Sequence, residues 1–127
     1  MIAWISEDDA LAIHADLIND YGGSHGVCDF VLLQSALAKP KNIFHYSEAP
    51  SLNELAASYT YGIVKNHPFI DGNKRTGFAV CTLFLEINGF TLDTSPKEAA
   101  DIILALAAGS IGEAGLVEFL GKHAHPI

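Results

Sequence analysis

The chain concentrates its reactive side chains in one run, His67-Pro-Phe-Ile-Asp-Gly-Asn-Lys-Arg-Thr76. Pro68 disfavours the α region for the residue before it, so a helix arriving at His67 must end there, and a new one opens near Gly72 or Asn73. Gly72, Asn73, Lys74 and Arg75 thus occupy a helix start. Unpaired backbone N–H groups and the positive end of the helix dipole attract an anion to such a place, and Lys74 and Arg75 add two formal charges. Phosphate is the natural ligand. Asp71 lies too close to bind the same anion directly, but is placed to hold a magnesium ion that bridges to it. Phe69 is expected to anchor the loop in the core and so fix His67 beside the anion site. A neutral imidazole there can take the proton from an attacking hydroxyl, because its unperturbed pKa of about 6.5 lies near neutral pH. These residue types spell nucleotidyl or phosphoryl transfer. No GxxxxGK(S/T) run occurs, and Gly22-Gly23-Ser24-His25-Gly26 follows a helix rather than a strand, so it reads as a connection.

The elements that position this run are helical almost throughout. Ser6 followed by Glu7, Asp8 and Asp9 starts a helix that runs to about Tyr21 and ends at Gly22 and Gly23. Asp29 caps a second through Phe30, Leu33 and Leu37, with Pro40 expected to stop it near Ala38, leaving residues 39–51 as a connector. Ser51-Leu-Asn-Glu54 is a capping box for a third helix to about Asn66, with Leu52, Leu55, Ala56, Tyr59 and Ile63 along its face. The fourth, to Asn88, is apolar on every side through Phe78, Val80, Cys81, Leu83, Phe84, Leu85 and Ile87, which predicts a central buried helix. Ser95-Pro96-Lys97-Glu98 opens a fifth, and a short sixth covers about Glu113 to Lys122. The expected fold is all-α, a compact bundle of about six helices in one domain over residues 1–127.

The reactive run resembles the signature of the Fic/Doc superfamily, HxFx(D/E)GN followed by Gly or Lys and then Arg, matched at His67, Phe69, Asp71, Gly72, Asn73, Lys74 and Arg75. Tyr21-Gly22-Gly23, Phe84-Leu-Glu-Ile-Asn-Gly89, the Ser95-Pro96 start and the length are similar to the Doc (death on curing) toxins of that superfamily. AMP-transferring Fic enzymes have glycine where this chain has Lys74 and a second arginine where it has Phe78. The resemblance therefore implies a kinase toxin of a type II toxin–antitoxin module, using ATP and Mg2+ to phosphorylate a hydroxyl of translation elongation factor Tu. It implies His67 as general base and Asp71 as magnesium ligand. Gly72, Asn73, Lys74 and Arg75 are the implied phosphate clamp, Arg75 also counting among the catalytic residues. Lys65 is a further candidate from the same neighbourhood, although a lysine near a helix C-terminus is equally what the dipole favours. The family's inhibitory pattern, Ser/Thr-xxx-Glu followed by Gly or Asn, has no good copy here, since Ile87 follows the Thr82–Glu86 spacing. Restraint is then expected from a separate, Phd-like antitoxin whose disordered tail folds as a helix on the toxin. The alternatives are an AMP transferase and a catalytically silent binding module.

Composition agrees with this reading. Fifteen acidic residues against seven basic over 127 positions give a net charge of −8, which repels phosphate backbones and anionic headgroups. Nucleic acid and membrane surfaces are thereby disfavoured as partners. The longest wholly apolar stretch, Ile102 to Ala108, falls far short of the ~20 residues of a spanning helix, and the N-terminus turns acidic at once, so a cytoplasmic protein is expected. Cys28 and Cys81 have no metal or disulfide spacing and read as an incidental thiol and a core residue. His14, His25 and His45 read as surface or turn residues, and His123-Ala-His125 as a polar terminus. Phe44 and Tyr46 either form a flap for a target or pack against the bundle. At this mass a globular chain is expected to expose roughly 6,600 Å².

Overall fold

Ser6, Asp29, Ser51 and Ser95 each accept a backbone N–H three residues ahead, and these caps set the starts of four helices in a computed structural model that describes Met1–Ile127. The order is α1 (Glu7–Tyr21), α2 (Phe30–Tyr46), α3 (Leu52–Asn66), α4 (Asn73–Ile87), β1 (Phe90–Leu92), α5 (Pro96–Ala108), α6 (Glu113–His123) and β2 (Ala124–Pro126). The exposed surface is 6682 Å², the value expected of a compact chain of this mass. One hydrophobic cluster of 20 buried residues draws on all six helices, from Ala10 through Leu33, Leu55, Val80 and Ile103 to Leu116. No helix is long and apolar enough to cross a membrane.

Three features depart from the sequence reading. Pro40 does not stop α2, which continues to Tyr46 with the proline inside it, and the connector shrinks to residues 47–51. Pro40 is itself buried, Ile43 packs on the core, and Phe44 meets Trp4 edge-on with centroids 5.6 Å apart. Burial of Pro40 and the contacts of Ile43 and Phe44 outweigh the lost backbone hydrogen bond, and Phe44 is thereby a packing residue on one edge while Tyr46 stays exposed. The centre is shared, with α3 the more enclosed: nine of its residues are buried against seven of α4. Ala56, Ala57, Ser58 and Gly62 let neighbours approach α3 closely on several sides, whereas α4 leaves Lys74, Arg75, Glu86 and Ile87 exposed. The C-terminal tail is an antiparallel strand rather than a loose polar end, pairing Phe90 with Pro126, Thr91 with His125 and Leu92 with Ala124. Three-residue strands carry almost no periodicity to read.

Elsewhere the helix ends and caps fall where expected. Gly22 ends α1 with φ 88°. The capping boxes Ser51/Glu54 and Ser95/Glu98 are both formed, as is a third between Ser6 and Asp9. The backbone and hydroxyl of Ser6 donate to Asp9 and hold its carboxyl below the usual range, and Ser95 does the same to Glu98. Thr82, in the one partial copy of the inhibitory pattern, bonds the Phe78 carbonyl at 3.1 Å within α4.

Candidate active site

The reactive run crosses from the end of α3 to the start of α4. His67 caps α3 in the left-handed region, φ 50° and ψ 55°, with its N–H donating to Ile63 O at 3.2 Å. Pro68 keeps the helix from continuing. Phe69 is 1% exposed and anchors the loop as expected. The carboxamide of Asn73 closes the loop on itself: its oxygen accepts the Phe69 N–H at 3.0 Å and its nitrogen donates to the Phe69 carbonyl at 2.9 Å. Asn73 is buried, and both of its polar atoms are spent on the loop rather than turned to a ligand.

Gly72 is the N-cap of α4, at φ 76° with no side-chain cap bond. A Cβ there would stand 3.1 Å from Ile18 Cδ1, so both the backbone angle and the approach of α1 require glycine. The helix start is left open to a ligand, with Lys74 and Arg75 exposed beside it and neither engaged in an ion pair. The Arg75 guanidinium lies 4.2 Å from the centroid of the Tyr21 ring.

A 430 Å³ cleft opens on this helix start. Asp71, Gly72, Asn73, Lys74 and Arg75 form its polar end, and Phe78 with the α5 residues Ala99, Ala100, Ile103 and Leu104 forms its apolar wall. A helix start with two cationic side chains at one end and an apolar wall at the other suit a ligand that is anionic at one end and flat or apolar at the other. Lys65 and His67 are exposed and do not line the cleft. The structure therefore groups five of the seven candidate residues and sets these two apart.

Asp71 is held by partners that the sequence reading did not connect with it. Its Oδ2 accepts the Ser24 N–H at 3.2 Å and its Oδ1 the Gly72 N–H at 2.8 Å. The Gly22–Gly26 segment, read as a mere connection, thus holds the Asp71 carboxylate from outside the cleft. Gly23, at φ 112°, lies so close that a Cβ would sit 2.7 Å from Asp71 Oδ2. Further bonds run from Ile70 N–H to Gly26 O and from Cys28 N–H to Pro68 O. A divalent cation fits the donor set, because each Asp71 oxygen keeps a free lone pair and is a hard ligand. No group of three His, Cys, Asp or Glu side chains converges in the chain. A cation here would take its other ligands from phosphate oxygens and water, the usual arrangement for magnesium.

His14 is the clearest departure from the sequence reading. It is not a surface residue but 3% exposed, stacked on Phe69 with centroids 3.9 Å apart and 2.8 Å from the Asp71 carbonyl oxygen. A signal was present: Ala10, His14 and Ile18 recur every four residues and are the buried residues of α1, so a polar side chain stood on a core stripe. His25 and His45 are exposed as expected. The α5 wall had no local signal, since its role depends on where α5 packs.

Comparison with known proteins agrees with the geometry. Residues 4–85, which run from before α1 into α4 and include the whole reactive run, match the Fic/DOC family. The chain is 32% identical over 118 residues to the protein kinase doc of Escherichia phage P1, covering 93% of each chain. It is 36% identical over 90 residues to the toxin Doc of Mycolicibacterium smegmatis, covering 68% of this chain and 69% of that one. With a family match over most of its length and a relative aligned nearly end to end, this chain belongs to the Fic/DOC family.

Proposed function

We propose that the protein is a Doc-type toxin, a single-domain cytoplasmic kinase that transfers the γ-phosphate of ATP to a protein hydroxyl. The observation that carries this reading is the open, uncapped start of α4, where Lys74 and Arg75 flank the same cleft as Asp71. The backbone N–H groups from Asn73 onward, with Lys74 and Arg75, would bind the phosphates, while the Gly72 N–H stays on Asp71 Oδ1 and Asp71 would hold Mg2+ against them. When bound, that cation supplies charge neutralisation of the phosphate oxygens. Asn73 contributes by fixing the loop, and Lys65, outside the cleft, would add only distant positive charge.

His67 is the general base of this proposal. It takes the proton of the target hydroxyl as that oxygen bonds to the γ-phosphorus, while the bond from the γ-phosphorus to the β,γ-bridging oxygen breaks and ADP leaves. Phe78 supports γ-transfer over AMP transfer, since it lines the cleft with a ring where the AMP transferases have an arginine. The names of the two relatives, a protein kinase and a toxin, point the same way. By extension the protein substrate is elongation factor Tu, and a Phd-like antitoxin restrains the enzyme.

The test is to incubate the protein with elongation factor Tu, magnesium and ATP labelled separately at the α and γ positions. Label from the γ position alone is expected on the factor. Transfer of the α label would make the protein an AMP transferase, and absence of both from any protein would leave a silent binding module.

A further inference from the structure

We propose that His14, from α1, is a positioning residue that sets the orientation of Asp71 and of the anion-binding helix start; this rests on the phosphotransfer reading above. A carbonyl oxygen can only accept, so His14 Nε2 carries the proton and donates to Asp71 O at 2.8 Å. That carbonyl belongs to the peptide joining Asp71 to Gly72. The N–H of the same peptide donates to Asp71 Oδ1 at 2.8 Å, so one planar group is held from both sides. Its orientation decides where the carboxylate points and where the first N–H of the α4 cap lies. The ring of His14 is itself fixed, stacked on the buried Phe69 at 3.9 Å with 7° between the planes. Phe69 is in turn gripped by Asn73 through both its N–H and its carbonyl.

Local structure does not account for the arrangement. Asp71 is an exposed residue on a loop, 57 positions along the chain from His14, and water can satisfy a loop carbonyl at little cost. A buried imidazole instead reaches it directly from another helix. The same helix carries Ile18 against the Gly72 backbone and Tyr21 beneath Arg75. α1 is therefore the support of the cation-binding and anion-binding residues alike, with His14 its only polar contact to their backbone.

Two variants separate the hydrogen bond from the packing. His14→Phe keeps a ring to stack on Phe69 and removes the donor. His14→Gln keeps an N–H donor of similar reach and removes the stack. In γ-phosphate transfer to elongation factor Tu, His14→Phe is expected to lower kcat about 10- to 100-fold, as loss of a supporting contact to a ligating residue does. His14→Gln is expected to recover most of that rate although it melts at a lower temperature. Amide resonances of Ser24 and Gly72, whose N–H groups bond the Asp71 carboxylate, report its position without any turnover. They should move in His14→Phe and return toward the parent in His14→Gln. A purely structural role would give the opposite order, with rate following melting temperature. Parent-like kcat and unmoved amides in His14→Phe would overturn the proposal. If the parent itself transfers no phosphate, the functional reading fails, and the amide resonances alone decide the role of His14.

Discussion

His67 sits at φ 50° and ψ 55°, a backbone conformation that costs most residues about 1 kcal/mol and that asparagine tolerates well. The variant that tests its chemistry cleanly is therefore His67→Asn, with His67→Ala as the companion. General-base catalysis contributes about 10² to 10⁴ in rate, so either should raise the barrier by roughly 2.7 to 5.4 kcal/mol. Phosphate transfer should fall accordingly while ATP affinity and the melting curve of His67→Asn stay near those of the parent. Full activity in both would remove His67 from the reaction. Cys81 offers a second test. Burial pushes its thiol up from 9.0 to about 12, with the Thr60 hydroxyl opposing the shift, and the Tyr59 hydroxyl is pushed up by burial as well. Unfolding frees both groups to lose protons at their ordinary values, so their contribution to stability is complete below pH 9 and is lost as pH rises toward 12. Melting temperature should fall over that window, and less steeply in Cys81→Ala. At pH 8 a thiol reagent should modify the exposed Cys28 and spare Cys81.

Among the elements, the capping residues act locally and the glycine segment acts at a distance. Ser51 accepts the Glu54 N–H at 3.1 Å, and Glu54 reaches back to the Ser51 N–H at 3.3 Å. Ser51→Ala should cost about 1 kcal/mol and lower the melting temperature by about 4 °C, with catalysis intact. Gly23→Ala should do the reverse. Its new methyl would press on Asp71 Oδ2 from a backbone angle that L side chains rarely adopt, so magnesium-dependent nucleotide binding should weaken by more than stability alone accounts for. Calorimetric titration of both variants with ATP and magnesium distinguishes the two behaviours. Equal ATP affinity in Gly23→Ala and parent would separate the glycine segment from the site.

At the scale of the whole molecule, charge governs association. With a net charge of −8, the surface favours a partner that carries cationic groups, and the proposed antitoxin tail would meet that field as an amphipathic helix. Binding only the folded protein, it should stabilise by about 2.7 kcal/mol at a hundredfold excess over its Kd, a rise of roughly 10 °C in melting temperature. Added salt should weaken the complex if cationic contacts carry it. Co-expression of the chain with the product of the neighbouring gene, followed by tag purification and thermal denaturation, measures both. Recovery of the chain alone would remove this partner.

Helix starts and the reactive run were legible in the sequence because their physics is local: a cap is decided within four residues, and the run from His67 to Arg75 carries its own turn and its own charge. Where interactions cross the chain, local rules fell short. Pro40 reads as a stop, yet its own burial and the packing of Ile43 on the core decide otherwise. The tail reads as polar, yet Phe90–Leu92 provides an edge for it to pair with. His14 reads as surface on composition alone, and only the packing of α1 against the Phe69 loop brings it to Asp71. The sequence by itself determined the helical class and the set of reactive side chains gathered in one run. Tertiary structure alone decided which groups hold those side chains in place, because contacts between residues far apart in the chain leave no periodic trace along it.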